Sequence, residues 1–143
     1  MALWLYLPTD ENQFRDLPKI LQAIHQTRPD YSIKLIGAHP PDTIQKHFSD
    51  ISDTYIECQD DLSQIDIIEQ IAKEYPDIWI NLETTRASLK LSQASQAHQR
   101  YGIETVRNAR KYMTHLAPAP NDSWMPFFET FGLNQFEGNA PKK

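Results

Sequence analysis

Short apolar runs alternate with segments of helical periodicity along most of this chain, and this alternation constrains the fold more than any other feature. Apolar residues spaced three and four positions apart follow the runs. The runs are Ala2–Leu7, Ser32–Ala38, Thr54–Cys58 and Ile78–Leu82. Strands that alternate with helices form parallel sheets covered on both faces. We therefore expect an α/β fold with a doubly wound, mostly parallel, Rossmann-like sheet.

The segments between and after these runs have the apolar spacing of helices. The first contains Phe14, Leu17, Leu21 and Ile24, and Pro18 within it predicts a kink or the true first turn. The later helices are expected at Thr43–Phe48, Leu62–Glu74, Thr85–Arg100 and Trp124–Phe131.

The chain changes character after residue 102. Ile103–Arg107 and Tyr112–Leu116 are short apolar segments around an asparagine-containing turn, which predicts a β-hairpin. The segment after the hairpin contains several large aromatic residues, which predicts a short aromatic helix ending near Gly132. We expect one domain over residues 1–135 and a flexible tail over 136–143.

Composition limits the classes of function. The net charge of −5 argues against a general DNA-coating protein. No apolar run reaches the length of a membrane span, and the N-terminus has no basic leader. The single cysteine, Cys58, cannot form an internal disulfide, which favours a cytoplasmic protein. The five histidines and one cysteine show no zinc spacing, so neither a metal nor a cofactor is expected.

Charge is unevenly divided along the chain. Residues 1–83 contain 6 Lys or Arg and 15 Asp or Glu, whereas residues 84–115 contain 6 Lys or Arg and only Glu104 as an acid. A concentrated basic segment in an acidic protein suggests a local anion site. The alternative is a solvated surface whose cations pair with acidic neighbours.

Polar residues follow the fourth apolar run directly. Glu83, Thr84, Thr85 and Arg86 stand where a strand gives way to a helix. Ligands bind at the carboxyl ends of parallel strands, and helix N-termini favour anions. This corner is therefore a candidate phosphate site. The alternative is that Thr84 or Thr85 serves only as a helix N-cap. The loops Pro8–Asp10 and His39–Asp42 follow the first two strands and are expected at the same edge.

In their order along the chain, several features resemble a CARF domain, the CRISPR-associated Rossmann fold that senses cyclic oligoadenylates. They are Leu17-Pro18 in the first helix, the loop Gly37-Ala38-His39-Pro40, Asn81-Leu82 after the fourth strand, the basic hairpin, and the aromatic-Gly helix end Phe128–Gly132. The closest resemblance is to the subgroup fused to a PD-(D/E)xK nuclease, with this chain expected to stand alone. That subgroup has Asn-Leu-Thr-Gly-Gly-Thr-Lys, and the two glycines fall on Thr84 and Thr85 when Asn81 is aligned without a gap. A shift of one residue instead matches Thr85-Arg86 to the Thr-Lys of the subgroup.

The resemblance implies a cytoplasmic homodimer that binds a cyclic oligoadenylate, with cyclic tetra-adenylate favoured, across its two-fold axis. It also implies metal-independent ring cleavage, in which a ribose 2′-hydroxyl attacks the adjacent phosphate, with Arg86, Thr85 and His39 as the candidate catalytic residues. The candidate ligand-binding residues come from the strand-end loops, the following helix and the hairpin. They are Pro8, Thr9, Asp10, His39, Asn81, Glu83, Thr84, Thr85, Arg86, Lys90, Arg107 and Arg110.

Two alternatives stay open. A non-catalytic sensor or sponge needs the same basic edge as a ring nuclease. A small interaction module without a nucleotide ligand would instead use the aromatic helix, and it predicts that Arg86→Ala leaves function intact.

Overall fold

The strands lie in a six-stranded sheet in the computed structural model, which describes residues 2–49, 55–58, 61–104, 111–119 and 121–132, with the backbone alone for 61–64. In chain order they are β1 (Ala2–Tyr6), β2 (Ser32–Gly37), β3 (Tyr55–Glu57), β4 (Ile78–Asn81), β5 (Gln99–Ile103) and β6 (His115–Ala117). Across the sheet the order is β3-β2-β1-β4-β5-β6, and every neighbouring pair is parallel. The predicted Rossmann-like α/β fold is confirmed.

A 3-10 turn and several α-helices connect these strands. The turn covers Glu11–Gln13, and the helices are α1 (Leu17–Thr27), α2 (Pro41–His47), α3 (Asp61–Glu74), α4 (Arg86–Ala94) and α5 (Met125–Thr130). Pro18 lies at the start of α1 and does not kink it, because proline fits the first turn, where its missing N–H has no intrahelical acceptor.

Alternation of side chains along β1 separates two cores. Leu3, Leu5 and Leu7 belong to a large cluster with buried residues of α1, α2 and α5. Trp4 and Tyr6 point to the other face, where they belong to a second cluster with buried residues of α3 and α4. Successive residues of a strand face opposite sides, so a strand covered on both faces must be apolar throughout.

The strand order reverses direction between β1 and β4. From β1 the chain extends outward through β2 to β3, then returns to place β4 on the other side of β1. The loops after β1 and β4 therefore leave the sheet toward opposite faces, and in this topology the space between two such loops forms a crevice. In open α/β sheets this is the usual place for a ligand.

The predicted hairpin is wrong. β5 and β6 pair in parallel, with Tyr101 opposite His115 and Ile103 opposite Ala117. A tight turn joins only antiparallel strands, and the connection here covers residues 104–114. The expected turn around Asn108 lies outside the described residues.

The helix predicted over Thr85–Arg100 is also too long. α4 ends at Ala94, and Gln96 has a φ of 54°, a left-handed conformation that stops the helix. Gln99 and Arg100, the last residues of the predicted helix, lie instead in β5.

Candidate functional site at the switch point

The carboxylate of Glu83 spans the crevice between β1 and β4. One oxygen accepts the backbone N–H of Thr9, from the loop after β1, at 2.5 Å, and the other accepts the N–H of Thr84 at 2.9 Å. Glu83 is only partly buried. A carboxylate can accept about four hydrogen bonds, so Glu83 retains capacity toward a ligand.

Asn81, the last residue of β4, fixes the Glu83 loop through hydrogen bonds of its buried side chain. Its side chain is fully buried; Oδ1 accepts the N–H of Glu83 at 2.9 Å and Nδ2 donates to Ser88 Oγ at 3.1 Å. Both polar ends of this amide are thus used inside the protein, as a buried polar group requires. Its position supports the loop and does not place it in contact with a ligand.

Thr85 is the N-cap of α4, as the alternative interpretation of the sequence held. Its hydroxyl oxygen accepts the N–H of Ser88, while Thr84 has its own N–H bonded to Glu83. Arg86 and Lys90 are exposed on this first part of α4, and neither makes an ion pair with any residue in the described ranges. Two cations that lie four residues apart on a helix share one face and can act on the same anion.

The loops after β1 and β2 are joined by His39. Its Nε2 lies 2.7 Å from the carbonyl oxygen of Pro8, and the imidazole is 8% exposed. Asp10 caps the 3-10 turn by accepting the N–H of Asn12 at 2.9 Å. Of the loop after β1, Thr9 contacts Glu83, whereas the Asp10 side chain is used for local structure.

Sequence reasoning missed an ion pair beside this loop. His47 Nε2, at the end of α2, lies 2.5 Å from Glu11 Oε2, and Lys46 Nζ lies 3.8 Å from the same oxygen. The hydrogen bond to His47 holds the pKa of Glu11 below its ordinary value. No sequence signal connects residues 36 positions apart in this way, because the contact depends on α2 packing over the 3-10 turn.

Two tyrosines near the crevice, Tyr6 and Tyr55, have strongly raised pKa values. Burial raises the pKa of Tyr6 to about 12, and the charges of Cys58 and Glu83 add to the effect. Burial also raises the pKa of Tyr55, whose hydroxyl donates to the backbone oxygen of His39 at 2.6 Å. Both phenols stay protonated at physiological pH, and the Tyr55 hydroxyl acts as a donor.

Other residues singled out from the sequence are not found at the crevice within the described part of the chain. Arg107 and Arg110 lie outside the described residues. The aromatic side chains of Trp124, Phe127 and Phe128 are buried in the core, so they are not a surface available to a partner.

Within the described ranges, no cluster of three or more His, Cys, Asp or Glu side chains could hold a metal ion, and no helix is long and apolar enough to cross a membrane.

No protein-family model matches the chain, and no curated protein matches it. Solved structures do match. One is the crystal structure of the glycosyl transferase family 9 from Veillonella parvula DSM 2008, with a TM-score of 0.74 and 14% identity over 97% of this chain and 44% of that one. This likeness shows the fold alone.

A second solved structure matches a smaller part of the chain. It is a protein from Listeria monocytogenes assigned as a UDP-N-acetylglucosamine 2-epimerase, with a TM-score of 0.49 and 17% identity over 73% of this chain and 31% of that one. A TM-score at this level supports no argument about fold or function. The chain spans less than half the length of either structure.

Proposed function

We propose that this chain binds a ribose-phosphate ligand in the crevice between β1 and β4. The observation that carries the proposal is the placement of Glu83, whose carboxylate is held across the crevice by Thr9 and Thr84. A carboxylate in this position accepts hydrogen bonds from ribose hydroxyls and repels phosphate. Phosphate groups would then lie on the α4 side of Glu83, where Arg86 and Lys90 are exposed.

The specific ligand we propose is a cyclic oligoadenylate, with cyclic tetra-adenylate favoured, in type III CRISPR signalling. Such a ring combines free ribose hydroxyls with several phosphates, which is the combination that Glu83 and the α4 cations suit. A ring with two-fold symmetry would be held by two copies of this crevice in a homodimer. A cytoplasmic location belongs to the same proposal, since Cys58 is a buried free thiol.

Ring cleavage is part of the proposal, and it requires only positioning and charge. The ribose 2′-oxygen attacks the adjacent phosphorus, the bond to the 5′-oxygen breaks, and the products are a 2′,3′-cyclic phosphate and a 5′-hydroxyl. Glu83 would accept the 2′-hydroxyl proton, and water would return one to the leaving oxygen. Arg86 would stabilise the charged phosphorane, and the Thr85 hydroxyl, whose oxygen accepts the Ser88 N–H, would orient it by donating its hydrogen. A sponge would bind the same ring in a geometry that is not in line.

The first experiment measures binding and cleavage of cyclic tetra-adenylate and cyclic hexa-adenylate by the purified protein without metal. We expect Arg86→Ala and Glu83→Gln each to weaken binding about tenfold or more, the effect of losing a hydrogen bond to a charged group. Lys19→Ala is the matched control, because Lys19 is an exposed cation on α1. An intact ring after tight binding indicates the sponge, and absence of binding to either ring contradicts the proposed ligand.

A second candidate function is favoured by one observation. The glycosyltransferase from Veillonella matches nearly the whole of this chain with less than half of its own length. This chain would then correspond to one Rossmann-like portion of such a protein and bind a sugar or sugar nucleotide through Glu83. Uridine diphosphate sugars and free sugars in the same binding assay separate this candidate from the first, because they share hydroxyls but lack a ring of phosphates.

A further inference from the structure

A line of hydrogen bonds runs along the carboxyl edge of the sheet and ends at Glu83. The Tyr55 hydroxyl donates to the His39 carbonyl at 2.6 Å, and His39 Nε2 contacts the Pro8 carbonyl at 2.7 Å. The next residue, Thr9, donates its N–H to Glu83 at 2.5 Å. The line therefore connects the loops of β2, β1 and β4 to a tyrosine of β3.

The imidazole of His39 uses its Nε2 in the hydrogen bond to the Pro8 carbonyl. A carbonyl oxygen can only accept, so Nε2 must carry the proton and donate it to Pro8. The ring is 8% exposed, and the edge of the Phe14 ring packs against it with centroids 4.9 Å apart. His39 cannot use Nε2 as a base toward a ligand while it holds the Pro8 loop.

Tyr55 fixes the other side of His39. Burial raises the pKa of the Tyr55 phenol, so its hydroxyl is protonated at neutral pH. It therefore donates constantly to the backbone of His39 and limits movement of the β2 loop. Gly37, two residues earlier, lies in the β2–β3 register opposite Glu57.

We propose that His39 is a positioning residue that holds the Pro8–Thr9 loop, so that the Thr9 N–H orients the carboxylate of Glu83 for the ligand. This inference rests on the proposed function, because a ligand at Glu83 is what gives the orientation a purpose. His39 itself does not touch the ligand. Its contribution passes through a single donated hydrogen bond, which a side chain of the same reach can replace.

The test compares His39→Leu with His39→Gln, whose amide Nε2 can reach the same carbonyl. In the protein without ligand, amide hydrogen exchange of Thr9 is measured by NMR. We expect the Leu variant to exchange at Thr9 about fivefold faster or more, and the Gln variant to stay near the original rate. His25→Leu is the control, because His25 is exposed on α1. Rates are compared with core amides so that a change in global stability is recognised.

A second arm measures the affinity for cyclic tetra-adenylate. The Leu variant should bind about tenfold more weakly and the Gln variant should recover most of the affinity. If the original protein binds no ring, the proposed ligand fails while the exchange arm still decides the role of His39. Unchanged Thr9 exchange in the Leu variant, or no recovery with Gln, overturns the inference. Should the Leu variant not fold, Tyr55→Phe removes the neighbouring bond and is expected to increase Thr9 exchange in the same direction.

Discussion

Asn81 shows how much a single buried polar residue can organise. It joins the end of β4 to α4 through Ser88 and fixes the backbone of Glu83. The amide is fully buried, so neither of its ends can be satisfied by water if a partner is lost. The geometry of the crevice depends on this residue although it faces the interior.

We predict that Asn81→Leu lowers the free energy of unfolding by about 1–3 kcal/mol, since the Glu83 N–H and the Ser88 hydroxyl lose a partner. Urea denaturation measures the change. Asn12→Leu is the control, because Asn12 is exposed on the 3-10 turn and should shift stability by less than about 0.5 kcal/mol. Equal effects of the two substitutions would contradict the role given to Asn81.

Gly102 is required by packing in the middle of β5. A Cβ atom at this position would lie 2.8 Å from Met113 Cγ and 2.9 Å from its sulfur. We predict that Gly102→Ala destabilises the protein by about 1–3 kcal/mol through overpacking. The double variant with Met113→Ala should show a favourable coupling energy in a double-mutant cycle measured by urea denaturation. Strict additivity of the two changes would show that the contact is not the cause.

Among the helices and strands, α4 shows how local interactions set the two ends of a helix. The helix begins at Arg86 because the Thr85 side chain caps it, and it ends where Gln96 adopts a left-handed conformation. Its buried side is narrow, with Leu89 and Leu91 flanked by Ser88 and Ser92, whose hydroxyls bond within the helix. A helix this short depends on its cap more than a long one does.

We predict that Thr85→Val destabilises the protein by about 1 kcal/mol, because the Ser88 N–H loses its acceptor, and that Thr85→Ser has little effect. Thermal unfolding followed by circular dichroism measures both. Thr84→Val is the matched control, since the Thr84 backbone makes the contact with Glu83. A loss at Thr84→Val as large as at Thr85→Val would argue against a cap at Thr85.

At the scale of the whole molecule, two cores share one sheet, and tyrosines lie at their boundaries. Tyr6 belongs to the smaller core and Tyr101 to the larger one, and the partly buried Tyr55 packs against the larger core as well. Burial raises the pKa of all three phenols. Each is therefore protonated in the folded protein at a pH where it would ionise in the unfolded chain.

This arrangement predicts a loss of stability in alkali. A folded pKa above the unfolded value of 10.0 contributes stability that is complete below pH 10 and is lost as the pH rises toward the folded value, about 12 for Tyr6. Tyrosinate absorbance should show these phenols titrating together with unfolding. Tyr6→Phe should flatten the decline in unfolding free energy between pH 10 and 12. A decline of the same slope in that variant would mean that other groups cause it.

Local sequence patterns were sufficient to predict the first four strands and the fold class. Apolar runs and helical spacing placed β1, β2, β3 and β4 to within two residues at each end, because strand and helix periods depend on neighbours close in the chain. The same patterns predict that the loops after β1, β2 and β4 lie at one edge of the sheet, since the carboxyl ends of parallel strands meet there. Thr85 as an N-cap was likewise available from local pattern alone.

Contacts between residues distant in the chain could not be predicted from local patterns. The parallel pairing of β5 with β6 replaces the predicted hairpin, because strand partners are chosen by long-range packing such as Gly102 against Met113. The hydrogen bond between Glu83 and Thr9 joins residues 74 positions apart, and the one between His39 and Pro8 joins residues 31 positions apart. Local propensity carries no information about such contacts, since they form only after the sheet has brought its strand ends together.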